Sequence, residues 1–256
     1  MPDIESGGVR IHYEVEGDGP PVVLIHGFAA SIELNWRAPG VIDAITKSGR
    51  KVVALDCRGH GKSEKPYEPA AYGGTKMADD AIAVMDNLGI EKADLCGYSM
   101  GGFLSASLLV RKPERFNSVI LSGVGDALVA GNFPRERSEA IARAMESIEG
   151  AGPDNEVGRQ FRIFAERMGN DLQALFAMQR AGRSGFDAAK LADVKLPVMV
   201  LVGEGDTLIV SAKKLAAAIP NAKYVKVPGD HLTAVGAKEF RQAIVDFLAS
   251  VSPVTA

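Results

Sequence analysis

Cysteine is nearly missing: the 256 residues hold only Cys57 and Cys96, with no C-x-x-C pair. Two cysteines cannot build a disulfide framework, and neither has a partner at a zinc-holding spacing. Both fall at the ends of expected strands, so we expect buried free thiols in a reducing, cytoplasmic setting. An excess of positive charge is also missing. Lys and Arg total 29 against 32 Asp and Glu, a net charge of −3, and no basic cluster offers a nucleic acid its footprint. No apolar stretch approaches the ~20 residues that span a bilayer, so no membrane partner is expected. The first residues, Met1-Pro2-Asp3-Ile4-Glu5-Ser6, are acidic and lack the basic region and apolar core of a signal peptide. Neither His-x-x-x-His nor a strand-to-helix G-x-G-x-x-G occurs. Gly61-Lys62-Ser63 imitates the end of a phosphate loop, but Asp56 stands where that loop needs glycine. No metal and no cofactor is expected.

What the chain does contain is alternation of two kinds of segment. Residues 9–15 (VRIHYEV) alternate apolar and polar, as a half-buried antiparallel strand does. Residues 22–25 are continuously apolar, the signature of a parallel strand covered on both faces, and the mainly apolar segments 51–55, 93–96, 116–121 and 197–202 read as further strands of that sheet. Residues 223–227 form a further short strand. Between them, residues 39–48, 75–88, 103–111, 210–219 and 237–249 read as helices with Gly or Pro stops. This is an α/β pattern with a mostly parallel sheet wrapped on both faces. Strand signals cease between 123 and 192, where 134–148, 156–168 and 171–179 read as helices. We expect a core of residues 1–122 and 193–256, with 123–192 as a helical cap over the sheet's carboxyl edge, where such sheets place their sites.

Gly97-Tyr98-Ser99-Met100-Gly101-Gly102 lies between an expected strand and an expected helix. G-x-S-x-G there suits a tight turn that projects the serine hydroxyl, although the pentapeptide alone fits an incidental glycine-rich turn equally well. A hydroxyl needs a base to become a nucleophile, and the chain has four histidines. His12 is far upstream of the sheet edge, His26 opens a Gly-containing loop and His60 lies in another. His231 follows the last strand at the same edge as Ser99 and is the preferred base. Its carboxylate partner is Asp206, after the strand 197–202; Glu204 and Asp126 compete, and Asp230 diverges as an immediate neighbour. For the oxyanion, the amides of Met100 and Phe28 are the candidates. Phe28, Tyr98 and Met100 are also expected to line the substrate site.

Taken together, His26-Gly27-Phe28, Asp56-x-Arg58-Gly59-His60-Gly61-x-Ser63, the serine turn, Gly203-x-x-Asp206 and Gly229-x-His231 resemble the α/β-hydrolase superfamily, in particular compact serine hydrolases with a helical cap. The resemblance spans nearly the whole chain, and its order Ser, Asp, His is that family's order. It implies an α/β-hydrolase fold with an eight-stranded, mostly parallel sheet and the cap inserted after the sixth strand. It also implies that the Asp56 to Ser63 loop is architectural. Related dehalogenases and epoxide hydrolases place Asp where Ser99 stands, which sets both aside.

The expected activity is a carboxylesterase-type one, an acyl-enzyme on Ser99 formed from small to medium esters, extending to polyesters if the cap stands open. Alternatives are a carbon–carbon bond hydrolase or perhydrolase with the same triad, or a non-enzymatic ligand receptor on the same fold. In the cap, Phe133, Phe161, Phe164, Met168, Leu172, Leu175, Phe176 and Met178 recur at helical spacing, chiefly as packing. Arg135, Arg137, Arg143, Arg159, Arg162 and Arg167 read as a solvated face, with one of them available to meet a substrate carboxylate.

Overall fold

The computed structural model describes residues 2–130, 135–181, 187–209 and 211–251, and of Arg135 the backbone alone. Phe133, Pro134, Val210 and the tail 252–256 lie outside the described residues. The chain runs β1 (Asp3–Ser6), β2 (Val9–Glu16), β3 (Pro21–Ile25), α1 (Val41–Lys47), β4 (Lys51–Leu55), α2 (Lys76–Asn87), β5 (Ala93–Tyr98) and α3 (Met100–Arg111). It continues with β6 (Phe116–Ser122), α4 (Arg135–Glu146), α5 (Glu156–Arg167), α6 (Leu172–Arg180), β7 (Val198–Gly203), α7 (Lys213–Ala218), β8 (Lys223–Val227) and α8 (Lys238–Val251).

Among the described residues eight strands form one sheet in the order β1-β2-β4-β3-β5-β6-β7-β8. β2 pairs antiparallel with β1 and β4, and every later pairing is parallel. Successive strand side chains point to opposite faces, and the sequence fills both. Val23 and Ile25 join one apolar cluster, with residues of α2 and α3, whereas Val22 and Leu24 join a second with α1 and α8. β1 departs from the sequence expectation: Asp-Ile-Glu-Ser has no apolar run, and it forms as an edge strand whose Asp3 meets Arg10 and His12 across the pair.

Register decides where the loops emerge. Ile25 pairs with Gly97, Tyr98 with Ser122, Ser122 with Leu201 and Gly203 with Val227. The carboxyl ends of β3, β5, β6, β7 and β8 are therefore level, and the segments leaving them share one edge. The three helices between β6 and β7 pack chiefly on one another, α4 against α5 and α6. Within α5 and α6, Asn155 and Asp171 cap the helices by accepting from the amides of Gly158 and Ala174.

The loop of Asp56 to Ser63 is tied down throughout. Asp56 accepts from the amides of Ile32 and Lys62, and Ser63 Oγ donates to the Asp56 carbonyl while accepting from the His12 amide. Arg58 clasps Asp80 on α2 through Nε and Nη2 at 2.8 and 2.6 Å, with both side chains nearly sealed from solvent. Removing one partner of such a pair leaves a buried charge uncompensated. Asp80→Ala is expected to destabilise the fold by ~3–5 kcal/mol, read as a lowered midpoint in urea. The apolar pair Arg58→Met with Asp80→Leu should lose less than the single change, because it leaves no charge stranded.

Candidate active site

Ser99 stands between β5 and α3 with φ 53° and ψ −111°, a region that L-residues seldom occupy. Its amide donates to the Ser122 carbonyl at 2.8 Å, and its carbonyl accepts from Phe103 at 3.0 Å. The turn closes because two neighbours have no side chain. A Cβ on Gly97 would lie 2.1 Å from the Gly101 carbonyl oxygen, and one on Gly101 would lie 1.9 Å from that of Ile25. The hydroxyl is thereby carried out over the sheet edge.

There the structure brings Ser99, His231 and Asp206 into one chain of hydrogen bonds. Ser99 Oγ is 2.8 Å from His231 Nε2, and His231 Nδ1 is 2.7 Å from Asp206 Oδ2. An ionised carboxylate only accepts, so Nδ1 carries the proton and Nε2 is left as the acceptor facing the hydroxyl. Asp206 is itself fixed, since its Oδ1 accepts from the amides of Leu208 and Ile209 at 3.0 and 3.2 Å. Tyr98 supports the base from behind by donating its hydroxyl to the His231 carbonyl at 2.6 Å.

The other candidate acids and histidines lie outside the relay. Asp126 accepts from the amide of Leu215, Asp230 from Leu232 and Thr233, and Glu204 is exposed. Hydrogen bonds from Thr233 hold the Asp230 carboxyl below its ordinary range. His26 donates Nδ1–H to the Gly27 carbonyl and accepts the Cys57 amide on Nε2, so neither nitrogen is spare. Burial pushes it down to about 4, and His60, stacked edgewise on it at 5.1 Å, down to about 3. Both are neutral at pH 7. His12 sits between Asp3 and Glu14 at the far side of the sheet.

Phe28 and Met100 flank the serine, one from the loop after β3 and one from the start of α3. Met100 is the first residue of α3, where helix geometry gives N–H groups no partner in their own helix. The loop of Phe28 is braced at three points. The Gly27 amide donates to Asn35 Oδ1 at 2.7 Å, Ala30 N–H reaches back to the Gly27 carbonyl, and Asn170, just beyond α5, donates Nδ2–H to the Ala29 carbonyl at 2.9 Å. Ala29 is held at φ 57°, a conformation such bracing sustains. Asn35 and Asn170 carry no signal in the sequence, because their partners lie in segments whose proximity only the fold creates.

Ser99 and His231 open onto a cavity of about 130 Å³. Phe28, Met100, Phe103, Val124 and Leu128 line it from the sheet side, with Ile141, Phe161, Arg137, Ser138 and Gln179 on the helical side. Phe161, whose ring meets Phe28 at 5.7 Å, also borders two smaller hollows that touch His231 and Leu232. Tyr98 stands between the site and the core. It ends β5 with its side chain among the α1 and α8 cluster, and it borders only the smallest of these hollows. Arg137 is not fully solvated: it is half-buried and donates to the Leu208 carbonyl at 3.0 Å.

Comparison with known proteins agrees with this architecture. The profile of the alpha/beta hydrolase fold matches residues 20–148. The 2-hydroxymuconate semialdehyde hydrolase of Pseudomonas sp. (strain CF600) is 34% identical over 189 residues, 72% of this chain, and the match spans only 62% of that relative's length. The protein of the same name from Pseudomonas putida is 30% identical over 275 residues, covering 96% of this chain and 93% of its own. Among solved structures, the enol-lactonase from Burkholderia xenovorans LB400 superposes with a TM-score of 0.74 at 26% identity, over 97% of this chain and 100% of that one. The chain belongs to the alpha/beta hydrolase fold family and is a hydrolase.

Proposed function

We propose that the protein hydrolyses carboxylic esters of short acyl groups through an acyl-enzyme on Ser99. The observation that carries this is the relay itself, Ser99 Oγ on His231 Nε2 and His231 Nδ1 on Asp206, at the mouth of a small, largely apolar cavity. As Oγ attacks the carbonyl carbon, its proton passes to Nε2 and the carbonyl electrons move onto oxygen. The amides of Phe28 and Met100 are the donors for that oxyanion, a contribution whose loss typically slows such reactions ~10²–10³-fold. Collapse expels the alkoxide, which takes the proton from His231. Water then gives a proton to His231, attacks the acyl carbon and releases the acid, returning the proton to Ser99. The helices α4 to α6 serve as the cap, and the cavity beneath them selects the acyl group.

Cavity size bears on the acyl group. A cavity of about 130 Å³ resembles those that accept one benzene ring. It suits an acyl group of about four carbons. A second reading is favoured by the relatives' names: cleavage of a carbon–carbon bond in a substrate like 2-hydroxymuconate semialdehyde, with the same serine and base. A panel of nitrophenyl esters separates the two. We expect steady turnover, with kcat/KM greatest near butyrate and at least ~10-fold lower for octanoate, since a longer chain overfills the site. No ester turnover together with decay of 2-hydroxymuconate semialdehyde would move the assignment to carbon–carbon cleavage. A single stoichiometric burst without turnover would favour a receptor.

A further inference from the structure

Of the described polar groups that line the cavity outside the relay, one is buried without a partner. The carboxamide of Gln179, near the end of α6, has both Nε2 and Oε1 buried and without a hydrogen-bond partner among the described residues. It lines the same cavity as Ser99 and His231. A buried amide left unpaired forfeits its hydration without compensation, so native proteins rarely keep one without a partner to complete it. Gln179 comes from the helical side of the cavity, whereas the nucleophile comes from the sheet edge. A short acyl group bonded to Ser99 would therefore direct its far end toward the helices. Apart from Arg137 and Ser138 that side is apolar, and the Arg137 guanidinium already donates to Leu208.

We infer that Gln179 is a specificity-determining residue that recognises a hydroxyl on the acyl group, making hydroxyacyl esters or lactones the preferred substrates. The inference rests on the ester-hydrolase reading. A hydroxyl matches the amide because it both donates, to Oε1, and accepts, from Nε2. A carboxylate only accepts and would face Oε1 with like partial charge. A methyl group would leave both amide atoms unpaired.

The test compares methyl 3-hydroxybutyrate with methyl 3-methylbutanoate, which differ by hydroxyl against methyl at one carbon. The protein is expected to favour the hydroxy ester in kcat/KM by at least ~10-fold, since sites built to bond a hydroxyl reject the analogue lacking it. In Gln179→Leu the ratio should fall to about one or invert. A merely structural role would depress both substrates and leave the ratio unchanged, which would overturn the inference, as would absence of discrimination in the unmodified protein. Preference for monomethyl succinate over both, lost in Arg137→Met, would overturn it in favour of an anionic acyl group. If no ester is turned over and a fluorophosphonate leaves Ser99 unlabelled, the ester reading has failed. Thermal-shift titration of the two free acids on the Ser99→Ala variant then decides the Gln179 inference, which stands if 3-hydroxybutyrate alone binds and Gln179→Leu removes it, and falls otherwise.

Discussion

Ser99→Ala is expected to lower ester turnover by about 10⁶-fold, leaving only the residual rate that an oxyanion site and substrate binding provide. Labelling by a fluorophosphonate should vanish with it. The fold should survive, because alanine keeps the Cβ and meets the same backbone strain at φ 53° that serine already bears. The bonds that hold the turn, Ser99 N–H to Ser122 and Phe103 N–H to the Ser99 carbonyl, are backbone bonds and persist. Among the described residues no other hydroxyl or thiol is hydrogen-bonded to His231 Nε2. Cys57 and Cys96 are buried, and burial raises both thiols, Cys96 to about 12, so neither supplies thiolate at neutral pH. Circular dichroism and the urea midpoint check the fold, and turnover of nitrophenyl butyrate checks the chemistry. Turnover within ~10-fold of the unmodified protein would mean the reaction does not pass through Ser99.

Much of the architecture is legible in the sequence because parallel strands covered on both faces are mainly apolar. The segments ending at Ile25, Leu55, Cys96 and Leu121 show it, and the polar exceptions Asp94 and Ser118 are paired with each other inside the fold. The same logic locates the loops that follow, so Ser99, Asp206 and His231 can be named from order and edge alone. Their meeting in space depends on the register that levels β5, β7 and β8. β1 is hidden because an edge strand can be short and charged, and Asp3 and Glu5 obscure it. Tyr98 shows what the sequence leaves unsaid. Strand alternation turns its ring toward α8, where it meets Phe240 edgewise at 5.8 Å, while the same ring borders the small hollow beside Ser99 and His231. In the helical segment, periodicity reveals amphipathic helices and says nothing of which residue meets the cavity. Phe161 and Gln179 face the site for reasons of tertiary packing alone, as does Asn170 in reaching Ala29 across 141 residues.

Asp206→Asn is expected to cost about 10⁴ in kcat with little change in KM, through the proton on His231 and not through lost structure. Asparagine has nearly the shape of aspartate. Its Oδ1 can go on accepting from Leu208 and Ile209, which turns its Nδ2–H₂ toward His231 Nδ1, 2.7 Å from the present Oδ2. A donor there forces Nδ1 to accept, so the ring proton moves to Nε2. Nε2–H then points at Ser99 Oγ, and the imidazole can no longer take the hydroxyl proton. It also loses the negative charge that stabilises the imidazolium in the transition state. The rate of fluorophosphonate labelling should fall in step with kcat, because both need the activated hydroxyl. A purely structural effect would instead lower the urea midpoint and the fraction of active protein while sparing the labelling rate of what remains folded. A loss below ~10-fold would show that Asp206 does not set the tautomer of His231 and would reopen the part of Glu204, its exposed neighbour two residues earlier.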